Sequence, residues 1–194
     1  MANVGQPDPA KLERFREYLL LLARLRLPPR LQSKVGASDI VQQTLLKATQ
    51  NIGQYRGQDE RELAAWLRRI LGNALVDAIR EFDGAKRDLA LERSLEATLT
   101  QSSARLEAFL DAGAGTPSER AIRHERVLHL SAALAKLPED QQQALELHYL
   151  QGCTVAETAE AMGRTERSIA GLVRRGLQSL RTLLDDAEHS TYGT

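Results

Sequence analysis

The stretch Thr154–Leu184 constrains the fold of this chain more than any other, because it combines two helix starts with a helix stop between them. Thr154 and Glu157 have the spacing of a capping box, in which a hydroxyl and a carboxylate satisfy backbone amides that a helix end leaves unpaired. Gly163 tolerates the left-handed conformation that ends this first helix, and Thr165 is a suitable cap for a second one. The pattern predicts two helices joined by a tight turn.

The second helix of this stretch has one apolar and one basic face. Its buried side is predicted by residues at helical spacing, namely Ile169, Leu172, Val173, Leu177 and Leu180. Its opposite side carries Arg167, Gly171, Arg174, Arg175 and Gln178. Two helices with a tight turn and a basic outer face are typical of a helix-turn-helix, which places its second helix in the DNA major groove. The alternative interpretation is a pair of solvated amphipathic helices in an ordinary helical domain.

The composition favours helices throughout the chain. Aromatic residues make up only 4% of the 194 residues, while Leu, Ala, Glu, Arg and Gln are abundant. We predict an all-α fold of two small helical domains joined by a partly helical linker, with the helix-turn-helix in the C-terminal domain. The formal net charge is zero. Basic residues nevertheless outnumber acidic ones over residues 11–81, so the N-terminal third is basic.

Several classes of site and location are disfavoured by the sequence. A single cysteine, Cys153, excludes an internal disulfide, and the four histidines lack metal-ligand spacing. We find no acid pair, Ser/His/Asp set or phosphate-binding glycine loop, so we expect no enzymatic activity, no metal and no cofactor. Because no apolar run has the length of a membrane span and the N-terminus lacks the apolar core of a signal peptide, we expect a cytoplasmic protein without membrane insertion.

Two helices are predicted in the first fifty residues. The first begins near Pro9 and is ended by Pro28. The second begins after Ser38 as its cap, with Asp39 in the first turn, where a carboxylate favours the helix dipole. Its apolar set is Ile40, Val41, Thr44, Leu45 and Ala48, and its exposed face carries the amides Gln42, Gln43 and Gln50. A lightly charged amide face suits a protein partner better than phosphate.

A glycine-containing loop and a long regular helix come next. The loop, residues 51–62, contains Tyr55 and Arg56 and ends at Asp59, which is expected to cap the helix. Opposite its apolar face the helix carries a polar stripe of Arg69, Asn73, Asp77 and Arg80. Aromatic stacking and cationic contacts are how proteins hold single-stranded nucleic acid, and a merely solvated helix face is the alternative.

The segment between the two halves predicts one or two further helices. Its apolar residues at helical spacing are Leu89, Leu95, Leu99, Leu106 and Phe109. The run Thr116–Glu119 has a Thr cap followed by Pro at the first helical position, so a new helix should start there. The predicted domains are therefore residues 9–82 and 120–184, with 83–119 as the linker. Its leucines are expected either to pack over a domain or to contact a partner.

Two blocks of the sequence together resemble the extracytoplasmic-function (ECF) sigma factors of bacterial RNA polymerase. The first block comprises Asp39–Thr44, Tyr55–Gly57 and Ala65–Ile70 and continues through Asn73, Asp77 and Arg80. The second opens at Leu137–Glu139 and continues through the helix-turn-helix to Arg181. The blocks occur in the order that the family has. The resemblance implies a promoter-opening domain followed by a domain for the −35 element.

The resemblance also implies roles for the matching positions. Contacts with the polymerase clamp helices would come from Asp39, Gln42, Gln43 and Thr44. The loop with Tyr55 and Arg56 would take up a flipped base of the −10 element, and the melting DNA would lie along Arg69, Asn73, Asp77 and Arg80. The −35 element would face Arg167, Ser168, Arg174, Arg175 and Gln178. The implied partners are core RNA polymerase, promoter DNA and an anti-sigma protein.

Three positions depart from the family pattern. Gln43 stands where the family usually has an acid, and Gly72 stands where a basic residue is common. Many relatives carry a polar or basic pair at Gly171-Leu172. With fewer base-reading side chains, this recognition helix is expected to rely on phosphate contacts and DNA shape.

The leading functional hypothesis is a sigma factor that directs core polymerase to promoters and helps to open the DNA. Two alternatives stay open at this point. One is a stand-alone helix-turn-helix regulator, which would leave the Tyr55 loop and the Arg69 stripe without a purpose. The other is a sigma-like interaction protein that no longer opens DNA.

Overall fold

The computed structural model describes residues 7–28, 31, 34–83, 89–110 and 117–192. Within these ranges the regular elements are all helical, which confirms the predicted all-α fold. The α-helices are α1 (Pro9–Glu13), α2 (Arg16–Arg26), α3 (Ala37–Gln50), α4 (Glu60–Asp83), α5 (Leu89–Leu110), α6 (Pro117–Ala135), α7 (Glu139–Leu145), α8 (Val155–Met162) and α9 (Glu166–Tyr192). A short 3-10 helix, Ile52–Gln54, follows α3, and a π-helical segment, Glu146–Gln151, continues α7.

The predicted single helix from Pro9 to Pro28 is wrong, because the chain breaks it into α1 and α2. The Phe15 amide donates to the carbonyl of Leu12 (3.1 Å), a three-residue spacing tighter than that of an α-helix. The Phe15 side chain is fully buried. The break at Arg14 and Phe15 thus leaves the aromatic ring in the core while it separates α1 from α2.

The start of α3 differs by two residues from the sequence prediction. Gly36 holds the last extended backbone conformation before the helix, so Ala37 is the first helical residue and Ser38 is not the cap. No side chain caps this helix end. Asp39 lies in the first turn, as predicted, where its charge still complements the helix dipole.

Helix α4 begins as the sequence predicts. The Glu62 amide donates to the Asp59 carboxylate (2.7 Å), and the Glu62 carboxylate accepts from the amide of Gln58 (2.6 Å) instead of from Asp59 itself. The 24 residues of α4 make it about 36 Å long. Its buried face includes Leu63, Leu67, Leu71, Ala74 and Leu75.

The linker segment contributes one long helix, α5, to the core. The side chains of Leu95, Leu99 and Leu106 are buried along it, and Leu89 lies outside the described side chains. The helix packs on α2 and α4. The expectation that the linker leucines pack over a domain is thus confirmed. Helix α6 begins at Pro117, as predicted, whereas its expected cap, Thr116, lies outside the described residues.

One apolar cluster contains residues from both halves of the chain. It includes Leu19 of α2, Leu71 of α4, Leu99 of α5, Leu130 of α6 and Leu180 of α9. Burying a leucine contributes about 1.5–3 kcal/mol relative to exposing it, so this shared core stabilises the packing of the two halves against each other. The predicted division into 9–82, 83–119 and 120–184 stays a prediction.

Candidate nucleic-acid interface

The predicted capping box at the start of α8 is confirmed. The Thr154 hydroxyl accepts from the Glu157 amide (3.2 Å), and the Thr154 amide donates to the Glu157 carboxylate (2.8 Å). These hydrogen bonds from the Thr154 backbone and side chain lower the pKa of Glu157. The box fixes where α8 begins and thereby its direction toward the turn.

The turn between α8 and α9 follows the predicted chemistry. Gly163 is left-handed (φ 60°) and has no neighbour within 4 Å of where a Cβ would lie, so conformation and not space requires glycine there. The Thr165 hydroxyl caps α9 by accepting from the Ser168 amide (3.2 Å). Behind the turn, Ala144, Ala159, Ile169 and Leu172 form a small separate core. These packed residues hold α9 across α7 and α8 with its basic side outward.

The candidate −35 residues lie on the outer side of α9. The side chains of Arg167, Arg174, Arg175 and Gln178 are exposed, and Ser168 is half-buried. The positions recur at three-, four- and seven-residue spacing, so they share one face. No described residue of the chain covers the three arginines of this face, so their guanidinium groups are open to solvent. Such a surface can bind phosphates and base edges in the major groove.

The structure corrects the interpretation of the Gly171-Leu172 pair. Leu172 is only 6% exposed and belongs to the core behind the turn, so it is not a base-reading position. Gly171 lies beneath the Arg175 side chain, with a guanidinium nitrogen 3.3 Å from an ideal Cβ at residue 171. The glycine therefore gives Arg175 room to lie along the helix. Only one of the two positions affects the outer face.

Two features of the helix-turn-helix were missed by sequence reasoning. Arg164 in the turn forms an ion pair with Asp140 of α7 (2.5 Å). Gly176 is buried, and a Cβ there would lie 3.0 Å from Leu145 Cδ1, so α7 and α9 cross closely at this glycine. An isolated glycine inside a helix is a recognised sign of such close packing.

The candidate clamp-binding helix presents three of its four predicted residues. Asp39, Gln42 and Gln43 are exposed on α3. Thr44 is fully buried, and its hydroxyl donates to the carbonyl of Ile40 (2.8 Å), so its prediction as a partner-contacting residue is wrong. Leu46, which sequence reasoning did not single out, is 58% exposed on this helix.

The loop after α3 does not present Tyr55 as a free stacking ring, which corrects that expectation. Tyr55 is 8% exposed, packs against Trp66 (ring centroids 5.3 Å apart), and donates its hydroxyl to the carbonyl of Asp59 (3.0 Å). Burial, together with the charges of Glu62 and Asp59, raises the pKa of the phenol. A Cβ at Gly57 would lie 2.2 Å from the Tyr55 hydroxyl, so only glycine fits beneath the ring.

Arg56, next to Tyr55, remains exposed at the loop surface. Its Nη1 donates to the carbonyls of Gly53 (2.6 Å) and Tyr55 (3.0 Å). These two hydrogen bonds stabilise the loop. The guanidinium thus sits at a defined place beside the start of α4. A cation held in this way can contact a phosphate without first being ordered.

The polar stripe of α4 is confirmed as a solvent-facing row for three of its four members. Arg69, Asn73 and Asp77 are exposed, whereas the Arg80 side chain is 19% exposed and lies 4.0 Å from Asp77. Lys47 of α3 pairs with Asp77 (3.2 Å) and adds a cation that the sequence pattern of α4 alone could not reveal. The surface therefore combines cations from two helices.

Among the residues that the structure describes, no group of three or more His, Cys, Asp or Glu side chains is placed to hold a metal ion. Over the same ranges, no helix is both long enough and apolar enough to cross a bilayer.

Two family models match the two blocks of the chain. The model for Sigma-70 region 2 matches residues 13–83, which contain α2, α3 and α4. The model for Sigma-70 region 4 matches residues 128–180, which contain the helix-turn-helix. The matches leave α5 between them.

Individual relatives agree with these matches. SigD of Mycobacterium tuberculosis, an ECF RNA polymerase sigma factor, is 30% identical over 170 residues, which cover 88% of this chain and 73% of the relative. BldN of Streptomyces coelicolor is 29% identical over 157 residues (81% of this chain), and SigX of Bacillus subtilis is 37% identical over 65 residues (34% of this chain). The matched segments cover 54% of the length of BldN and 34% of that of SigX. On the family matches and the SigD relationship together, the chain belongs to the family of ECF RNA polymerase sigma factors.

Proposed function

We propose that this chain is a dissociable specificity subunit of RNA polymerase, which directs the core enzyme to particular promoters and helps to open the DNA. The observation that carries the proposal is the presence of two separate candidate DNA surfaces in one chain. One is the exposed arginine face of α9. The other is the stripe on α4, and the two lie within the region 4 and region 2 matches, respectively.

The upstream contact is assigned to α9. Arg167, Ser168, Arg174, Arg175 and Gln178 would face the −35 element in the major groove. Each phosphate neutralised by an arginine contributes about 0.9 to the salt dependence of binding, and each base-reading contact contributes about 1–3 kcal/mol of discrimination. The cap at Thr165 and the core at Ile169 support this role because they fix the helix before DNA binds.

The downstream contact is assigned to the loop and α4. Arg56, Arg69, Asn73, Asp77 and Arg80 would lie along the −10 element as it melts. The buried ring of Tyr55 would support the loop backbone. Opening is favoured because single strands gain contacts here that the closed duplex cannot make, which is a shift of population by differential binding. Asp77, an acid, would serve to hold Lys47 and Arg80 in position.

Polymerase binding is assigned to the exposed side of α3, with Asp39, Gln42 and Gln43 on the clamp helices of the core enzyme. The nucleotidyl transfer would belong to the polymerase, so this chain would perform no covalent chemistry. It would act where the polymerase acts, in the cytoplasm. An anti-sigma protein is a further partner that the family relationship supports.

Run-off transcription tests the proposal directly. Purified core polymerase is incubated with genomic fragments, with and without this protein, and promoter-specific transcripts are expected only when the protein is present. Binding to the polymerase without transcripts would instead support a sigma-like interaction protein. Binding to specific DNA without polymerase would support a stand-alone regulator.

A further inference from the structure

A short stretch of α5 brings together arginines from three helices. The buried hydroxyl of Ser102 accepts from Nε of Arg26, the last residue of α2 (3.0 Å), and also from its Nη2. Arg105 lies on α5 itself, one turn beyond Ser102 and on the same face. Nη1 of Arg68, from α4, donates to the hydroxyl of Ser103 (3.4 Å). The guanidinium groups of Arg26 and Arg105 are thus held on one side of α5.

None of these three arginines forms an ion pair with a carboxylate in the part of the chain that the structure describes. Arg24 shows the contrast, because it pairs with the buried carboxylate of Glu146 (2.8 Å). Arg26, Arg68 and Arg105 donate instead to hydroxyls and carbonyls, which are neutral. No described side chain therefore neutralises their charges.

The charges of Arg26 and Arg105 also act on each other. Both side chains are half-buried. Burial chiefly, and the positive charge of Arg105 in addition, lower the pKa of Arg26. A shift in this direction means that the surroundings disfavour the charged guanidinium, whereas a neighbouring negative group would favour it. A bound anion would offset both unfavourable contributions.

Two helix ends compensate part of this charge. Arg26 lies at the C-terminal end of α2. Nη1 of Arg105 donates to the carbonyls of Leu150 (3.0 Å) and Gln151 (2.9 Å), where the π-helical segment ends. The C-terminus of a helix acts as roughly half a negative elementary charge, so the two ends leave about one positive charge of the pair uncompensated. Neutralising the pair therefore requires an anion from outside these helices.

Both arginines keep N–H groups that are available to an anion. Arg26 uses Nε and Nη2 on Ser102, and Arg105 uses Nη1 on two carbonyls, whereas a guanidinium has more donors than these. Neither of these described side chains has a buried nitrogen without a partner, so the remaining donors are open to solvent. They include the Nε–Nη2 edge of Arg105. Such an edge binds phosphate through two parallel hydrogen bonds.

We propose that Arg26 and Arg105 form a binding site for the phosphate group of a small molecule. Phosphate fits better than a carboxylate, because it carries more charge and has enough oxygens for two guanidinium groups. Neither arginine belongs to the α9 face or to the α4 stripe, so promoter DNA held on those surfaces would not occupy the site. The proposal goes beyond the proposed function and does not depend on it, since a chain inactive in transcription would still bind phosphate.

Nuclear magnetic resonance of the full chain tests the site directly. The protein, labelled with ¹⁵N-arginine, is titrated with inorganic phosphate and separately with pyrophosphate, with chloride at equal ionic strength as the control. The Nε signals of Arg26 and Arg105, assigned through their loss in single variants, should shift together along one saturation curve, and chloride should not move them. Tighter binding of pyrophosphate would support a diphosphate-bearing ligand, and equal binding a monophosphate. No saturation by either ion in the millimolar range would overturn the proposal.

Substitution of Arg26 locates the binding. Arg26→Gln should lower the affinity for the better-bound ion by about tenfold or more, because it removes a charged hydrogen-bond donor. Arg93→Gln removes one exposed positive charge from α5, so it is the matched control and should bind like the wild type. Unchanged affinity in Arg26→Gln, or loss of binding only in Arg174→Gln on the α9 face, would contradict the assignment.

Circular dichroism checks that the variants fold. If Arg26→Gln does not fold, Arg26→Lys keeps the charge but loses the planar fork, and it should weaken phosphate binding several-fold. Thermal unfolding gives a second readout, because a ligand that binds only the folded chain raises its melting temperature. Phosphate should raise the Tm of the wild type and of Arg93→Gln more than that of the Arg26 variant. An equal rise in all three would count against the site.

Discussion

Arg24 and Glu146 lie 122 positions apart in the chain, yet Nη2 of Arg24 is 2.8 Å from Oε1 of Glu146. The pair joins α2 to the segment that precedes the helix-turn-helix. The carboxylate is 10% exposed and the guanidinium 30%, so water screens the pair only in part. Substitutions at this ion pair therefore offer a simple test of how the two halves associate.

Removing the cation should destabilise the protein. Arg24→Ala leaves the buried Glu146 carboxylate unpaired, and we expect a loss of about 2–3 kcal/mol in the free energy of unfolding, below the usual cost because the site is partly exposed. Urea denaturation followed by circular dichroism measures it. The matched control, Arg24→Met/Glu146→Leu, removes both charges and should lose less than the single variant. An equal loss in both would show that packing, not charge, matters there.

The Glu146 carboxyl should also make stability depend on pH. Burial raises its pKa in the folded protein, although Arg24 from α2 and Gln142 on the preceding turn oppose the shift. Its contribution to stability is therefore largest below the unfolded-state pKa and falls as pH rises through the higher folded-state value. Relative to Glu146→Gln, the wild type should gain stability as pH falls from 7 toward 4.5. A pH-independent difference would contradict the raised pKa.

A side chain at Gly57 should displace the ring of Tyr55. In Gly57→Ala the new Cβ would lie 2.2 Å from the Tyr55 hydroxyl, and we expect a loss of about 1–3 kcal/mol in stability. The emission of Trp66, the sole tryptophan of the chain, should change because it packs on this ring. Tyr55→Phe is the control, since it removes the hydrogen bond to Asp59 but keeps the ring, and it should leave the emission nearly unaltered.

Substitutions at two nearby positions of α3 should have different effects on the affinity for core polymerase. Gln42→Ala should weaken binding to core polymerase several-fold, because the side chain is exposed on the proposed docking face. Thr44→Val should leave that affinity unchanged and cost about 1 kcal/mol of stability, because the buried hydroxyl bonds only within the helix. Surface plasmon resonance with immobilised core polymerase measures both. A weaker Thr44→Val complex would argue against the buried role.

Upstream DNA binding should depend on Arg174 but not on every exposed arginine. Arg174→Ala in the holoenzyme should reduce the salt slope of promoter binding by about 0.9 if it contacts one phosphate. Affinity for core polymerase should stay the same. Arg93→Ala, on the exposed side of α5, is the control and should leave the slope unchanged. Equal loss of DNA and polymerase binding in Arg174→Ala would contradict the assignment of α9 to the −35 element.

Local chemistry explains which parts of the site could be predicted. The Thr154–Glu157 box and the left-handed Gly163 depend on residues a few positions apart, so their geometry is encoded within the segment itself. The exposed face of α9 follows from helical periodicity once its apolar side is known. Thr44 and Tyr55 were misplaced because polar atoms can be satisfied by nearby carbonyls inside a fold, and that choice depends on what packs over them.

The sequence by itself determined most of the helices and of their caps, the outward faces of α4 and α9, and the family to which the chain is similar. Only the tertiary structure decided that Leu99 of α5 packs against Gly72, that Lys47 pairs with Asp77, and that Arg24 reaches Glu146. The physical reason is the distance along the chain between the residues that interact. Caps and amphipathic periodicity arise from interactions within one or two helical turns, whereas these three contacts require segments that only the collapsed core brings together.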